Sequence, residues 1–117
     1  MLELLRAQII ETDLVLEDPE FRTIVKTRIV ARHQQVVRVD REQIRSPAPE
    51  QVARVTAGLG KILSGLAAFI FEDYGKGFLR AALVRQVSAA LTAAGNIATA
   101  DPYPHLLVGW GNVTAVN

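Results

Sequence analysis

The stretch Ala67-Ala68-Phe69-Ile70-Phe71-Glu72-Asp73-Tyr74-Gly75-Lys76-Gly77 opens as an apolar run and stops on two acids, a tyrosine, and a lysine between glycines. A short apolar run closed by turn residues, with a helical apolar pattern after it, reads as a buried strand feeding a crossover helix. That helix is predicted over 78–94, where Leu79, Leu83, Val87, Leu91 and Ala94 share one side and Gly95 supplies a C-cap. Ile97–Ala100 reads as the next strand, ending in Asp101-Pro102, and 113–116 as a last one before Asn117. Strand–helix–strand implies an α/β fold with parallel strands and a right-handed crossover. Ligands of open parallel sheets sit outside the carboxyl ends of the strands. Glu72–Gly77, Asp101 and Asn117 are therefore the residues expected to face a ligand.

Upstream, Leu2, Leu5 and Ile9 predict a short amphipathic helix over 2–10, and Leu14–Leu16 a short strand. Residues 23–32 split with period two. Lys26, Arg28, Val30 and Arg32 lie on one face; Val25, Thr27, Ile29 and Ala31 lie on the other. This suits a strand with one covered and one basic face. Gln35–Asp40 is its hairpin partner across a tight link at His33-Gln34. Two prolines mark a linker over 45–49, where Ser46 before Pro47 suits a helix N-cap. Val52, Val55, Leu59, Ile62 and Leu63 carry that helix to about residue 64. Gly58 and Gly60 weaken it by roughly 1 kcal/mol each relative to alanine.

The totals bound the function. A chain of 117 residues has room for one core, and half its residues are hydrophobic. A net charge of +1 argues against a dedicated nucleic-acid binder. The absence of cysteine excludes a disulfide framework and a thiolate zinc site, and fits a reducing compartment. No apolar run approaches the roughly 20 residues of a membrane helix. The expectation is a soluble, cytoplasmic protein with no nucleic-acid or membrane partner.

The chemistry-bearing residues each admit a plain reading. Asp73 and Asp101 suit sugar hydroxyls or a hard cation, and equally suit helix caps. Lys76 between glycines places a cation and free amides near a phosphate, although no Walker loop is present. Lys26, Arg28, Arg32, Arg38 and Arg41 make a solvated basic face, or a surface for a phosphorylated ligand. His33 and His105 lack metal-ligand spacing, and Trp110 reads as a packing anchor.

Three segments together resemble the ribokinase/PfkB-type carbohydrate kinases. They are Val25–Glu42, similar to a lid-proximal segment; Ile70–Gly77, similar to a Ser-Asp-Tyr-x-Lys-Gly strand end; and Thr99–Pro102, similar to an Asp-Pro or Asn-Pro strand end. The branch resembled most phosphorylates D-glycero-D-manno-heptose 7-phosphate on the route to ADP-heptose. The resemblance implies a partial ribokinase-like fold with a lid-type hairpin, and ATP and Mg2+ as cofactors of the complete kinase. Residues 1–45 would be helix plus lid strands, and 46–117 a βαβ segment of one incomplete domain. It further implies substrate contacts from Asp73, Lys76, Asp101, Arg28 and Arg38, and a nucleotide-side role for Asn117. Tyr103 departs from the small or polar residue common after that aspartate.

The resemblance covers only the middle of such kinases. It lacks the Gly-Gly sugar motif and the Gly-Ala-Gly-Asp segment with its base and anion hole. The expectation is a kinase fragment, inactive alone, that works with a complementary fragment or as a homo-oligomer. The alternative is a non-catalytic α/β module that pairs through exposed strand edges.

Overall fold

The computed structural model describes residues 1–103, 109–110 and 113–116. Its elements in order are α1 (Leu2–Ala7), β1 (Val25–Ala31), β2 (Gln34–Arg41), α2 (Pro49–Ile62), a 3-10 turn at Leu63–Gly65, β3 (Ala68–Glu72), α3 (Ala81–Ala93), β4 (Ile97–Asp101) and β5 (Ala115–Val116). The fold is mixed α/β. One sheet is the antiparallel pair β1–β2; the other is parallel, in the order β3-β4-β5.

The core forms on one face of the parallel sheet. Phe71, Ala98 and Ala100 meet Leu83, Val84, Val87 and Leu91 of α3, all buried. The stripe expected on α3 therefore packs as predicted through its middle, with Val84 and Ser88 joining it. Val52 and Leu59 of α2 and Leu63 of the 3-10 turn flank it, and Trp110 sets its ring edge-to-face on Phe71 at 5.7 Å. Asn96 closes the unit: its Nδ2 donates to the Leu63 and Leu66 carbonyls at 3.0 and 2.9 Å. This bond ties the end of α3 to the turn before β3.

The other face of the sheet is open among the described residues. Ile70 and Ile97 share it, by the register Ala68↔Ile97, and both are exposed. Parallel sheets normally bury both faces, so the expectation of a buried strand at β3 holds on one side only.

Several local expectations are corrected. Leu14–Leu16 is not a strand. Leu14 instead seats on α2 at Gly58, where a Cβ would overlap Leu14 Cδ2. Arg54 Nη2 donates to the Asp13 carbonyl at 3.4 Å beside it. Gly58 thus makes room for the N-terminal segment. Helix α2 starts at Pro49 rather than after Ser46. Ala48, preceding a proline, is held extended (φ −66°, ψ 153°) and is the N-cap. Gln51 Oε1 accepts from the Ala48 amide at 2.8 Å, half of a capping box. Helix α1 ends at Ala7 rather than residue 10, and α3 begins at Ala81, three residues after its expected start.

The hairpin turns at Arg32-His33, with Arg32 at φ 55° in the left-handed region. Ile29 pairs with Val37 and Val30 with Gln35, so Val36 is the extra residue of a β-bulge. Every residue of β1 and β2 is exposed, which overturns the expectation of a covered face. Val25, Ile29, Val37 and Val39, on the hairpin's apolar face, are all exposed. The radius of gyration is 16.9 Å, against roughly 13 Å for a compact domain of this length.

Candidate functional site

The ends of β3 and β4 lie side by side. Glu72 pairs with Asp101 in the parallel register, and the Asp73 amide donates to the Asp101 carbonyl at 3.0 Å. Asp73 is 8% exposed. Its Oδ1 accepts from the Gly75 amide at 2.8 Å, an Asx-type turn, while Oδ2 is buried with no hydrogen-bond partner.

The turn needs its glycines. Gly75 (φ 66°) and Gly77 (φ 92°) both occupy the left-handed region. A Cβ on Gly75 would also lie 2.7 Å from Cδ1 of Tyr103, whose ring covers the loop. Tyr74 donates to Glu72 Oε1 at 2.6 Å, a bond that raises the phenol above its ordinary pKa.

Lys76 reaches back to the hairpin. Its Nζ lies 2.6 Å from Glu42 Oε2, and the Arg45 amide donates to the Lys76 carbonyl at 3.2 Å. Lys26 on β1 approaches the other oxygen of Glu42 at 3.2 Å and Asp40 at 3.3 Å. The hydrogen bond from Lys76, then that from Lys26, holds the Glu42 carboxyl below its ordinary range despite partial desolvation. The bonds to Glu42 and then Asp40 raise Lys26. At Asp40 desolvation pushes upward, but the hydrogen bonds from Lys26 and Arg38 outweigh it and leave the carboxyl lowered.

Of the predicted site residues, Asp73 and Asp101 lie side by side, while Lys76 follows on the same loop with its Nζ on Glu42. Arg28 and Arg38 do not join them. They face each other across the hairpin two pairs further out than Lys26 and Asp40, roughly 7 Å along the strands. Arg38 Nε pairs with Asp40 Oδ1 at 2.9 Å. Arg28 makes no ion pair among the described residues. Asn117 and His105 lie outside the described residues. Sequence reasoning missed Glu42 and Arg45, which dock the hairpin to the loop, and the covering role of Tyr103. Glu42 and Lys76 are 34 residues apart, and no spacing rule links them.

Among the described residues no group of three or more His, Cys, Asp or Glu is placed to hold a metal ion. Asp73 and Asp101 alone do not make a magnesium coordination set. Among the described residues no helix is long and apolar enough to cross a membrane. A cavity of about 440 Å³ opens elsewhere, between the starts of α2 and α3, lined by Pro49, Val52, Phe78 and Leu83 among others.

The chain is similar to proteins named bifunctional protein HldE. The one from Gluconobacter oxydans is 30% identical over 107 residues, 92% of this chain and 22% of that protein. The one from Methylobacillus flagellatus is 41% identical over 81 residues, 68% of this chain and 17% of that protein. The one from Pelobacter propionicus is 40% identical over 90 residues, 73% and 17% of the two. The chain thus spans about a fifth of the length of these curated relatives. No family model matches it.

Proposed function

We propose that this chain is the lid-and-cleft segment of an ATP-dependent sugar kinase of the ribokinase type, acting on a phosphosugar such as heptose 7-phosphate. The observation that carries the reading is the match to bifunctional protein HldE across 92% of the chain. It takes in the hairpin and both strand ends. The geometry is compatible with it: an orphaned Asp73 oxygen, Asp101 beside it, and a lysine presented between two left-handed glycines.

In this reading Asp73 and Asp101 accept hydrogen bonds from sugar hydroxyls, and Lys76 meets an anionic group. Arg28 and Arg38 extend the basic face toward the sugar phosphate. ATP and Mg2+ belong to the complete kinase, and their binding set is not found among the described residues. Phosphoryl transfer rests on positioning and on stabilising the moving charge. This segment supplies positioning on one wall only, so by itself it transfers no phosphate.

The test has two arms. The chain alone, given ATP and heptose 7-phosphate, is expected to form no product. In a protein of the relatives' full length that carries this segment, Lys76→Ala is expected to raise the KM for the sugar phosphate. Product from the chain alone, or unchanged kinetics in the variant, would remove the reading of this wall.

A further inference from the structure

Glu42 is held by two cations from different parts of the chain. Lys26, on β1, is 3.2 Å from Oε1; Lys76, on the strand-end loop, is 2.6 Å from Oε2. Each carboxylate oxygen therefore faces its own ammonium. A phosphate monoester offers the same arrangement, with two anionic oxygens to bridge two lysines and more charge near neutral pH. The three side chains are about a quarter to two-fifths exposed, so an incoming anion can reach them. The Arg45 amide donates to the Lys76 carbonyl without involving the Glu42 side chain, which makes residues 42–45 the joint between hairpin and loop.

We propose that Lys26 and Lys76 form a subsite for the phosphate of a phosphorylated ligand, and that Glu42 is its internal occupant. The arriving phosphate displaces the Glu42 carboxylate, takes both lysines, and frees the hairpin to settle over what has bound. For the sugar part of the ligand this rests on the kinase reading; the displacement step rests on the three side chains alone. Glu42 is a competitor in this scheme, not a residue that aims Lys76.

Inorganic phosphate titrated into the full chain tests it. Glu42→Gln keeps the shape and removes the charge. It is expected to bind phosphate roughly three- to tenfold more tightly, the release of two partly exposed ion pairs. Lys76→Met and Lys26→Met are each expected to weaken binding in the Glu42→Gln background. The chain has no cysteine, so spin labels on cysteines introduced at His33 and Arg85 report the hairpin's position. Phosphate is expected to shift that distance in the unmodified protein, and Glu42→Gln to show the shift beforehand. Phosphate binding that is unchanged, weakened or undetectable in Glu42→Gln overturns the proposal, as does binding that survives loss of either lysine. Heptose 7-phosphate binding no better than inorganic phosphate would sink the sugar reading while leaving the displacement intact.

Discussion

The Asp73 amide donates to the Asp101 carbonyl at 3.0 Å, one step beyond the last paired residues of β3 and β4. The parallel ladder thus continues past the strands and aligns two acidic residues at one edge of the sheet. Asp73 then folds its own side chain onto the Gly75 amide and turns the chain away.

Asp73→Ala removes that side-chain acceptor from a nearly buried position. The Gly75 amide loses its partner, which costs about 1 kcal/mol in a typical case. A thermal unfolding midpoint lower by a few degrees is expected. No change in midpoint would mean that the turn is held by the glycines and Tyr103 alone.

Gly75→Ala meets two penalties. Alanine at φ 66° is disfavoured by about 1 kcal/mol or more, and its Cβ would press on the Tyr103 ring. Tyr103→Ala in the same chain is expected to relieve the second penalty and not the first. A double-mutant cycle in chemical denaturation would show this as a coupling between the two sites.

The two glycines of α2 are expected to respond differently to alanine. Nothing lies within 4 Å of a Cβ at Gly60, so Gly60→Ala should stabilise the protein by roughly 0.5–1 kcal/mol. Gly58→Ala gains the same helix propensity but displaces Leu14. It should be neutral or destabilising, and greater protease sensitivity around residues 12–16 would mark the displaced segment.

Glu42 gives the hairpin contact a pH dependence. Lys76 and Lys26 face it, and Asp40 shares Lys26. A carboxyl lowered in the folded state contributes stability above its ordinary value of 4.5, and loses it as pH falls through the lowered value. The Lys76–Glu42 contact should therefore be intact at neutral pH and give way in that acidic range. Side-chain NMR of Glu42 should titrate below 4.5 in the protein and rise toward 4.5 in Lys76→Met.

Local pattern made much of this legible. The alternation at 25–31, the apolar run before Glu72 and the stripe Leu83–Val87–Leu91 each depend on neighbours a few residues away. The strand-end rule then placed Asp73 beside Asp101. What local pattern could not show was where segments land. Leu14–Leu16 has strand composition, but its fate is set by the gap at Gly58, more than 40 residues later. The apolar face of the hairpin, with Val25, Ile29, Val37 and Val39, has a strand's alternation whether or not something covers it. Glu42 reads as one more charge at a strand end until the fold sets it between Lys26 and Lys76.

The hairpin also has a mechanical property. Seven residues of β1 span roughly 23 Å, and the Lys76–Glu42 ion pair and the Arg45–Lys76 amide contact, which join the ribbon to the strand-end loop, lie at its base. A stiff ribbon held at one end is a lever. A rotation of about 10° at Glu42–Arg45 carries the Arg32-His33 tip through roughly 4 Å over an arm of that length. The Val36 bulge, near the tip, sets the direction of the last few residues relative to the arm. A small rotation at the base would thereby be geared up to a displacement of the size of a side chain at the far end.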